Sequence, residues 1–172
     1  MGLLARLFGQ KEDDHAAVRP LWAEAVRIAR TPEWYARGGI ADTVPGRFDA
    51  LSMVMALILL RMEQSEALRA EPARLTELFV TEMDGTLREQ GVGDLVVGKR
   101  VGKLMSALGG RIEAYREGLA AGDQAVLEGA VRRNVTLAEQ GDASWIAAEI
   151  VRLAGALAAT DDAALLAGRI AR

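Results

Sequence analysis

The sequence predicts an all-α protein, a single-domain bundle of about six to eight helices. Its 172 residues are rich in alanine, leucine, arginine and glutamate, which favour helices, whereas aromatic residues make up only 5% of the chain. Apolar residues recur every three or four positions in at least five segments, and the connections between these segments are short. A chain of this length suits one domain with a substantial core.

The helical domain is predicted to span residues 12–172, and residues 1–11 form a separate short amphipathic segment. This segment places four apolar residues beside two basic ones: Leu3, Leu4, Leu7 and Phe8, with Arg6 and Lys11. It is too short for a signal peptide with a cleavage site, and far too short to span a bilayer. Two interpretations stay open: the apolar residues contact a membrane surface, or the segment is a terminus that packs loosely on the body. The predicted location is the cytoplasm, either free or peripheral on the cytoplasmic face of the inner membrane.

Two helices are predicted at the start of the domain. The first covers residues 12–30, with Pro20 in its first turn, where the missing N–H costs little. A Thr-Pro-Glu sequence beginning at Thr31 then supplies an N-cap, a first-turn proline and a first-turn acid for a short second helix. This helix ends at Gly38–Gly39, and residues 42–46 are predicted to form a loop.

The most apolar helix is predicted over residues 46–69. Its run Leu51–Leu60 is ten residues long, which is too few to cross a membrane, so we expect a central core helix contacted on nearly all sides. The helix carries three methionines, Met53, Met55 and Met62. Flexible thioethers suit adaptable surfaces that bind a client protein, but we favour the interpretation that they fill the core.

An acidic helix followed by a basic helix is the most distinctive feature of the chain. Residues 71–94 carry a net charge of −4, and residues 95–116 carry a net charge of +4. Helices are predicted over 73–90 and 95–116, joined by a glycine-rich turn. The basic helix has an apolar stripe formed by Val97, Val101, Leu104, Met105, Leu108, Ile112 and Tyr115.

Charged residues on these two helices are candidates for binding a partner. Lys99 and Lys103 are predicted on the side opposite to the apolar stripe, with Arg100 and Arg111 along one flank. The full candidate set is Lys99, Arg100, Lys103, Arg111, Glu82, Asp84 and Asp94. The alternative is that the basic residues only form a solvated helix face.

Glycines and caps give the remaining expectations about the fold. Gly109–Gly110 lies inside the basic helix and is predicted to mark a kink or a close helix crossing. Gly98 and Gly102 form a GxxxG pattern, which favours close packing of soluble helices here. Three further helices are predicted to follow the caps at Asp123, Asp142 and Asp161, and to end near Glu139, Ala158 and Arg172.

The sequence contains no positive indication of catalysis. It has no cysteine, which excludes disulfides and thiolate zinc sites, and its single histidine, His15, cannot supply a two-histidine metal site. No phosphate-binding loop, dinucleotide fingerprint or nucleophile elbow is present. We therefore expect no enzyme activity, no cofactor, no metal and no small-molecule substrate. The net charge of −3 also argues against a general nucleic-acid binder.

Three blocks of the sequence carry a family resemblance. They are WYARGGIADTVPGRFDALSMVMALILLRM (Trp34–Met62), LFVTEMDGTLREQGVGDLVVGKRVGKLMSALGGRIEAY (Leu78–Tyr115) and GDQAVLEGAVRRNV (Gly122–Val135). The middle block is specific, because its acidic helix end, GVGD turn and VGKR helix start rarely coincide. Through these blocks, residues 31–134 resemble the ubiquinol–cytochrome c chaperone family, the bacterial relatives of the mitochondrial Cbp3-type assembly factors.

The resemblance implies a helical chaperone that acts on cytochrome b during assembly of the cytochrome bc1 complex. Mitochondrial members of the family also contact the ribosome and need a small partner subunit, so the resemblance offers the ribosome as a second partner. The lack of a transit peptide leads us to expect a bacterial setting. The alternative function is a ribosome- or RNA-binding adaptor that uses the basic helix 95–116 and has no chaperone activity. Such binding would fall steeply with salt, whereas hydrophobic capture of a client would not.

Overall fold

The computed structural model describes residues 15–89 and 94–171, and within helices it leaves out the side chains of 86–89, 94–98 and 100. The described residues form eight α-helices and one short 3-10 turn, Glu66–Leu68. The helices are α1 (Arg19–Ala29), α2 (Pro32–Ala36), α3 (Val44–Met62), α4 (Glu71–Glu89), α5 (Asp94–Ala121), α6 (Gln124–Asn134), α7 (Ala143–Ala158) and α8 (Asp162–Leu166). The predicted all-α bundle is confirmed.

Helix α3 is the centre of the bundle, as predicted from its apolar run. It packs against α1, α4, α5 and α7, and every side chain from Ser52 to Leu60 is buried. Its three methionines are fully buried, so the client-binding interpretation of these methionines is wrong and the core interpretation is confirmed. The helix begins earlier than predicted, at Val44, because the Thr43 hydroxyl accepts a hydrogen bond from the Gly46 N–H at 3.2 Å.

The caps predicted for the last three helices are confirmed. Asp123, Asp142 and Asp161 each accept a hydrogen bond from a backbone N–H of the following turn, at 2.8–2.9 Å. However, α6 ends at Asn134 rather than near residue 139. The chain beyond it becomes extended and pairs with the segment after α2, where the Ala138 N–H donates to the Gly39 carbonyl at 2.8 Å. Gly39 has a φ of +68°, which only glycine adopts readily.

Arg61 ties the end of α3 to the C-terminal helices. Its side chain is 13% exposed and donates hydrogen bonds to the carbonyl groups of Leu157 and Thr160 and to the Asp162 carboxylate, at 2.8–3.0 Å. The Ser65 hydroxyl donates to the other oxygen of Asp162 at 2.6 Å. Hydrogen bonds from Ser65 and Arg61 lower the pKa of Asp162. Arg61 therefore adds side-chain hydrogen bonds to carbonyl groups at the end of α7, where the Leu157 carbonyl also accepts from the Thr160 N–H at 3.1 Å.

Helices α4 and α5 pack against each other, and both contact α3. Helix α5 is 28 residues long and extends beyond the predicted 95–116, and it also packs against α6. Among the described residues, no helix combines the length and the hydrophobicity that crossing a bilayer would need. The hairpin turn predicted around Gly91, and the N-terminal segment with Leu3, Leu4, Leu7 and Phe8, lie outside the described residues.

Candidate partner-binding surface

A buried ion pair anchors the second half of α5 to the core. Arg111 on α5 is 7% exposed and bonds through Nη2 to the carboxylate of Asp49 on α3, which is also 7% exposed. Arg111 donates two further hydrogen bonds, at 3.2 and 2.8 Å, to the carbonyl of Asn134 at the end of α6. The remaining oxygen of Asp49 accepts from the N–H and the hydroxyl of Thr136, at 2.9 and 2.7 Å. One buried cation thus joins three separate segments.

Aromatic side chains surround this ion pair. The Arg111 guanidinium lies 5.5 Å from the ring centre of Phe48, a cation–π distance. Tyr115, one turn further along α5, is completely buried, and its hydroxyl has no hydrogen-bond partner among the described residues. Burial raises the pKa of the Tyr115 hydroxyl well above its ordinary value, so the side chain stays neutral. The anchor is therefore a buried site in which each charge depends on the other.

Arg111 was predicted along one flank of the apolar stripe as a partner-binding residue, but it is buried there and bonded to Asp49. Arg111 borders the buried stripe residues Leu108 and Tyr115, and a carboxylate on α3 lies opposite it. In the sequence, the indication of this ion pair was the acidic residue Asp49. Asp49 directly precedes the most apolar run of the chain, and a buried carboxylate there requires a partner cation.

The apolar stripe of α5 continues beyond the end of the core. Leu108 and Tyr115 are buried, but no side chain from 101 to 107 is. Val101, Leu104 and Met105 are half-buried, and among the described residues they are not part of the set that packs on the buried core. We refer to Val101, Leu104 and Met105 as the apolar edge. The apolar edge leaves apolar area accessible on α5, and the part of this helix from Arg111 onward is anchored to the core by the ion pair.

The lysines of α5 lie where the sequence predicted them. Lys99 and Lys103 are exposed, one turn apart, on the side of α5 opposite to the apolar stripe, and in the described part of the chain neither forms an ion pair. On α4, Glu82 is exposed and Asp84 is half-buried. The side chains of Arg100 and Asp94 lie outside the described residues. The structure thus brings exposed basic groups and accessible apolar groups together on one helix.

The glycines of α5 do not mark close helix contacts at the predicted positions. Apart from the neighbouring backbone of its own helix, a Cβ placed on Gly102, Gly109 or Gly110 would meet no atom of the described residues within 4 Å, so this part of the chain shows no close helix contact at these three glycines. The close approach occurs at Gly118, where a Cβ would lie 2.7 Å from Leu127 Cδ1 of α6. The tight α5–α6 contact is therefore one more part of the anchored half of the helix.

Two open depressions lie elsewhere, near α1, α2 and α7, with volumes of about 510 and 430 Å³. In the second, Arg37 stacks over Trp145 at 5.2 Å from the ring centre, and Glu33, Glu149 and Arg152 complete a lining of mixed charge. A lining with both signs of charge does not select an anionic or a cationic ligand. Within 15–89 and 94–171, no three acidic or histidine side chains are arranged to hold a metal ion.

Comparison with known proteins agrees with the resemblance noted in the sequence. A family model described as ubiquinol-cytochrome C chaperone matches residues 36–172. A crystal structure of the Cbp3 homolog from Brucella abortus is similar, with a TM-score of 0.79 and 33% identity over 98% of this chain and 95% of that chain. Comparison with curated proteins gives no match. The family match extends past residue 134 and includes α7 and α8. The chain belongs to the ubiquinol–cytochrome c chaperone family.

Proposed function

We propose that this chaperone holds newly made cytochrome b during assembly of the cytochrome bc1 complex, and that α5 supplies the main contact. The observation that carries the proposal is the apolar edge, which continues the buried stripe of α5 into a region where the core no longer covers it. Membership of the family supports the chaperone role.

The chemistry of the apolar edge suits a membrane-protein client. A transmembrane helix that has not yet met its partners exposes leucine- and phenylalanine-rich surface, and contact with other apolar side chains removes that surface from water. Met105 contributes a flexible side chain that adapts to differently shaped clients. Because the ion pair at Arg111 fixes the helix beyond the edge, binding need not order the whole helix.

Changing Leu104 and Met105 together to aspartate should reduce the capture of cytochrome b by about tenfold or more, which corresponds to at least 1.4 kcal/mol of binding free energy. Both side chains are half-buried at the edge of the bundle and outside its fully buried core, so the fold should persist with a lower unfolding temperature. The measurement is the amount of cytochrome b that co-purifies with each chaperone variant from cells that synthesise the bc1 complex.

Val151→Asp is the control for this experiment. Val151 lies on α7 and is 53% exposed, so the substitution adds a charge to an apolar surface position away from α5. We expect it to leave capture of cytochrome b unchanged. Equal capture by all variants would contradict the proposed contact, and unfolding of the Leu104/Met105 variant would show that the edge belongs to the core.

A second experiment separates this function from an RNA- or ribosome-binding adaptor, which the exposed Lys99 and Lys103 favour. Changing both lysines to glutamine should weaken capture of cytochrome b about two- to fivefold at low salt and have little effect at high salt, because only the electrostatic part of the binding is lost. Binding of total RNA by the unmodified protein should be weak. Tight RNA binding with a steep salt dependence, abolished in the lysine variant, would support the adaptor instead.

The double variant Arg132→Gln/Arg133→Gln provides the charge-matched control. Both arginines are exposed at the end of α6, on a different helix from the apolar edge. We expect normal capture of cytochrome b in this variant. An equal loss of capture in the lysine variant and the arginine variant would show that net charge, and not the position of the lysines, determines binding.

The flanking positions Arg100, Glu82, Asp84 and Asp94 are proposed to adjoin the contact. Membrane contact through residues 1–11 and contact with the ribosome stay predictions.

A further inference from the structure

Gly109 and Gly110 occupy the middle of α5, although the packing requires no glycine there. Both are exposed, neither has a positive φ, and at either position an added Cβ would meet no atom of the described residues within 4 Å beyond the backbone of its own helix. Two adjacent glycines lower the stability of a helix interior relative to alanine. Gly118 of the same helix differs, because its Cβ would collide with Leu127. The glycine pair therefore costs helix stability with no gain in packing.

The pair lies at the boundary between two different parts of α5. After it come Arg111, Tyr115 and Gly118, which are held by the buried ion pair and the α6 contact. Before it, Leu108 is buried, and no side chain from 101 to 107 is. The backbone is thus easiest to bend at the point where the tightly packed half of the helix meets the accessible half.

We propose that Gly109–Gly110 is a hinge, at which the part of α5 that carries the apolar edge tilts relative to the anchored part. Helices bend preferentially at glycine pairs, and hinges lie where a fixed element meets one with few contacts. The tilt changes how far the apolar edge stands away from the bundle, so one surface accommodates apolar segments of different shape. This use of the hinge rests on the proposed capture of cytochrome b.

The test is the double variant Gly109→Ala/Gly110→Ala in the full-length chain. Alanine fits at both positions, so the unfolding temperature should rise by about 2–6 °C. Amide hydrogen exchange in residues 101–108 of the free protein should become slower, and capture of cytochrome b should fall about fivefold or more. A more stable protein with lower activity is the signature of a hinge rather than of a structural role.

Gly155→Ala and Gly102→Ala are the matched controls. Both glycines are exposed and helical with open space around the Cβ position, Gly155 in α7 and Gly102 in α5 away from the boundary. Each change should raise the unfolding temperature slightly and leave capture of cytochrome b unchanged. An equal loss of capture in Gly102→Ala would overturn the hinge, since it would show that the partner packs directly on the glycines.

Different experimental results would contradict the hinge and the proposed function. If the unmodified protein does not capture cytochrome b, the proposed function fails, while hydrogen exchange of the free protein still tests the hinge. Unchanged exchange of residues 101–108 in the double alanine variant would overturn the hinge. Slower exchange of these residues with unchanged capture of cytochrome b would show that the hinge has no role in binding the client. Destabilisation by the two alanines would contradict the open space on which the inference depends.

Discussion

Replacement of Arg111 by alanine is expected to lower the free energy of unfolding by about 3–5 kcal/mol. The change leaves the Asp49 carboxylate 7% exposed without its cation, and it removes both hydrogen bonds to the Asn134 carbonyl. Helix α3 and the end of α6 both lose their partner on α5. Thermal and urea unfolding followed by circular dichroism measures the loss, with an expected fall of about 10 °C in the unfolding temperature.

Arg116→Ala is the control on the same helix. Arg116 pairs with Glu63 at 2.8 Å, but both side chains are 44% exposed, so solvent screens the pair and its loss should hardly change stability. Similar unfolding curves for the two alanine variants would show that the Arg111 ion pair is not the anchor of α5. If Arg111→Ala is folded at low temperature, it should also capture less cytochrome b, because the helix that carries the apolar edge is no longer fixed.

Replacement of Arg61 by alanine should lower the free energy of unfolding by about 2–3 kcal/mol, chiefly through the loss of its hydrogen bonds to the Leu157 and Thr160 carbonyls. The end of α7 and helix α8 should loosen before the rest of the bundle, because Arg61 supplies three of the hydrogen bonds that join these segments to α3. Hydrogen exchange in residues 157–166 should therefore become faster than in α5.

A control variant and a pH dependence test the prediction for Arg61. Arg152→Ala removes an arginine from α7 that is 54% exposed and paired with Glu149, three residues earlier, and it should leave stability nearly unchanged. Since Asp162 has a lowered pKa, its contribution is present above its unfolded-state pKa of about 3.9 and is lost as the pH falls through the lower folded value. The cost of Arg61→Ala should therefore shrink in strong acid. An equal effect of both variants, or faster exchange spread evenly over the chain, would contradict the local role of Arg61.

Local sequence determined the helices and most of their starts. Asp123, Asp142 and Asp161 cap the last three helices because a short side-chain oxygen needs only the N–H groups of the next turn. The apolar run of α3 became the core because ten consecutive apolar-rich positions leave no polar face to expose. The exposure of Lys99 and Lys103 follows in the same way from the position of the apolar stripe on α5.

Long-range contacts determined where some helices end. The segment after Asn134 has residues that fit a helix, and the sequence alone predicted one to residue 139. The structure instead pairs this segment with residues 39–41, whose backbone groups offer hydrogen bonds that no neighbour in the sequence can supply. Likewise, the stripe of α5 was evident in the sequence, but the point at which the core stops covering it depends on the positions of the other helices.

One exposed and one buried basic residue on α5 show most clearly what the sequence determines and what only the tertiary structure determines. Lys103 and Arg111 lie two turns apart, and the sequence assigned both to a partner-binding surface. Lys103 is exposed, whereas Arg111 is buried against Asp49, a residue 62 positions away, and against a carbonyl 23 positions away. Periodicity reports the direction of a side chain within its own helix, but the burial of a charge depends on the counter-charge that the packed fold places opposite it. Only the tertiary structure could supply that counter-charge.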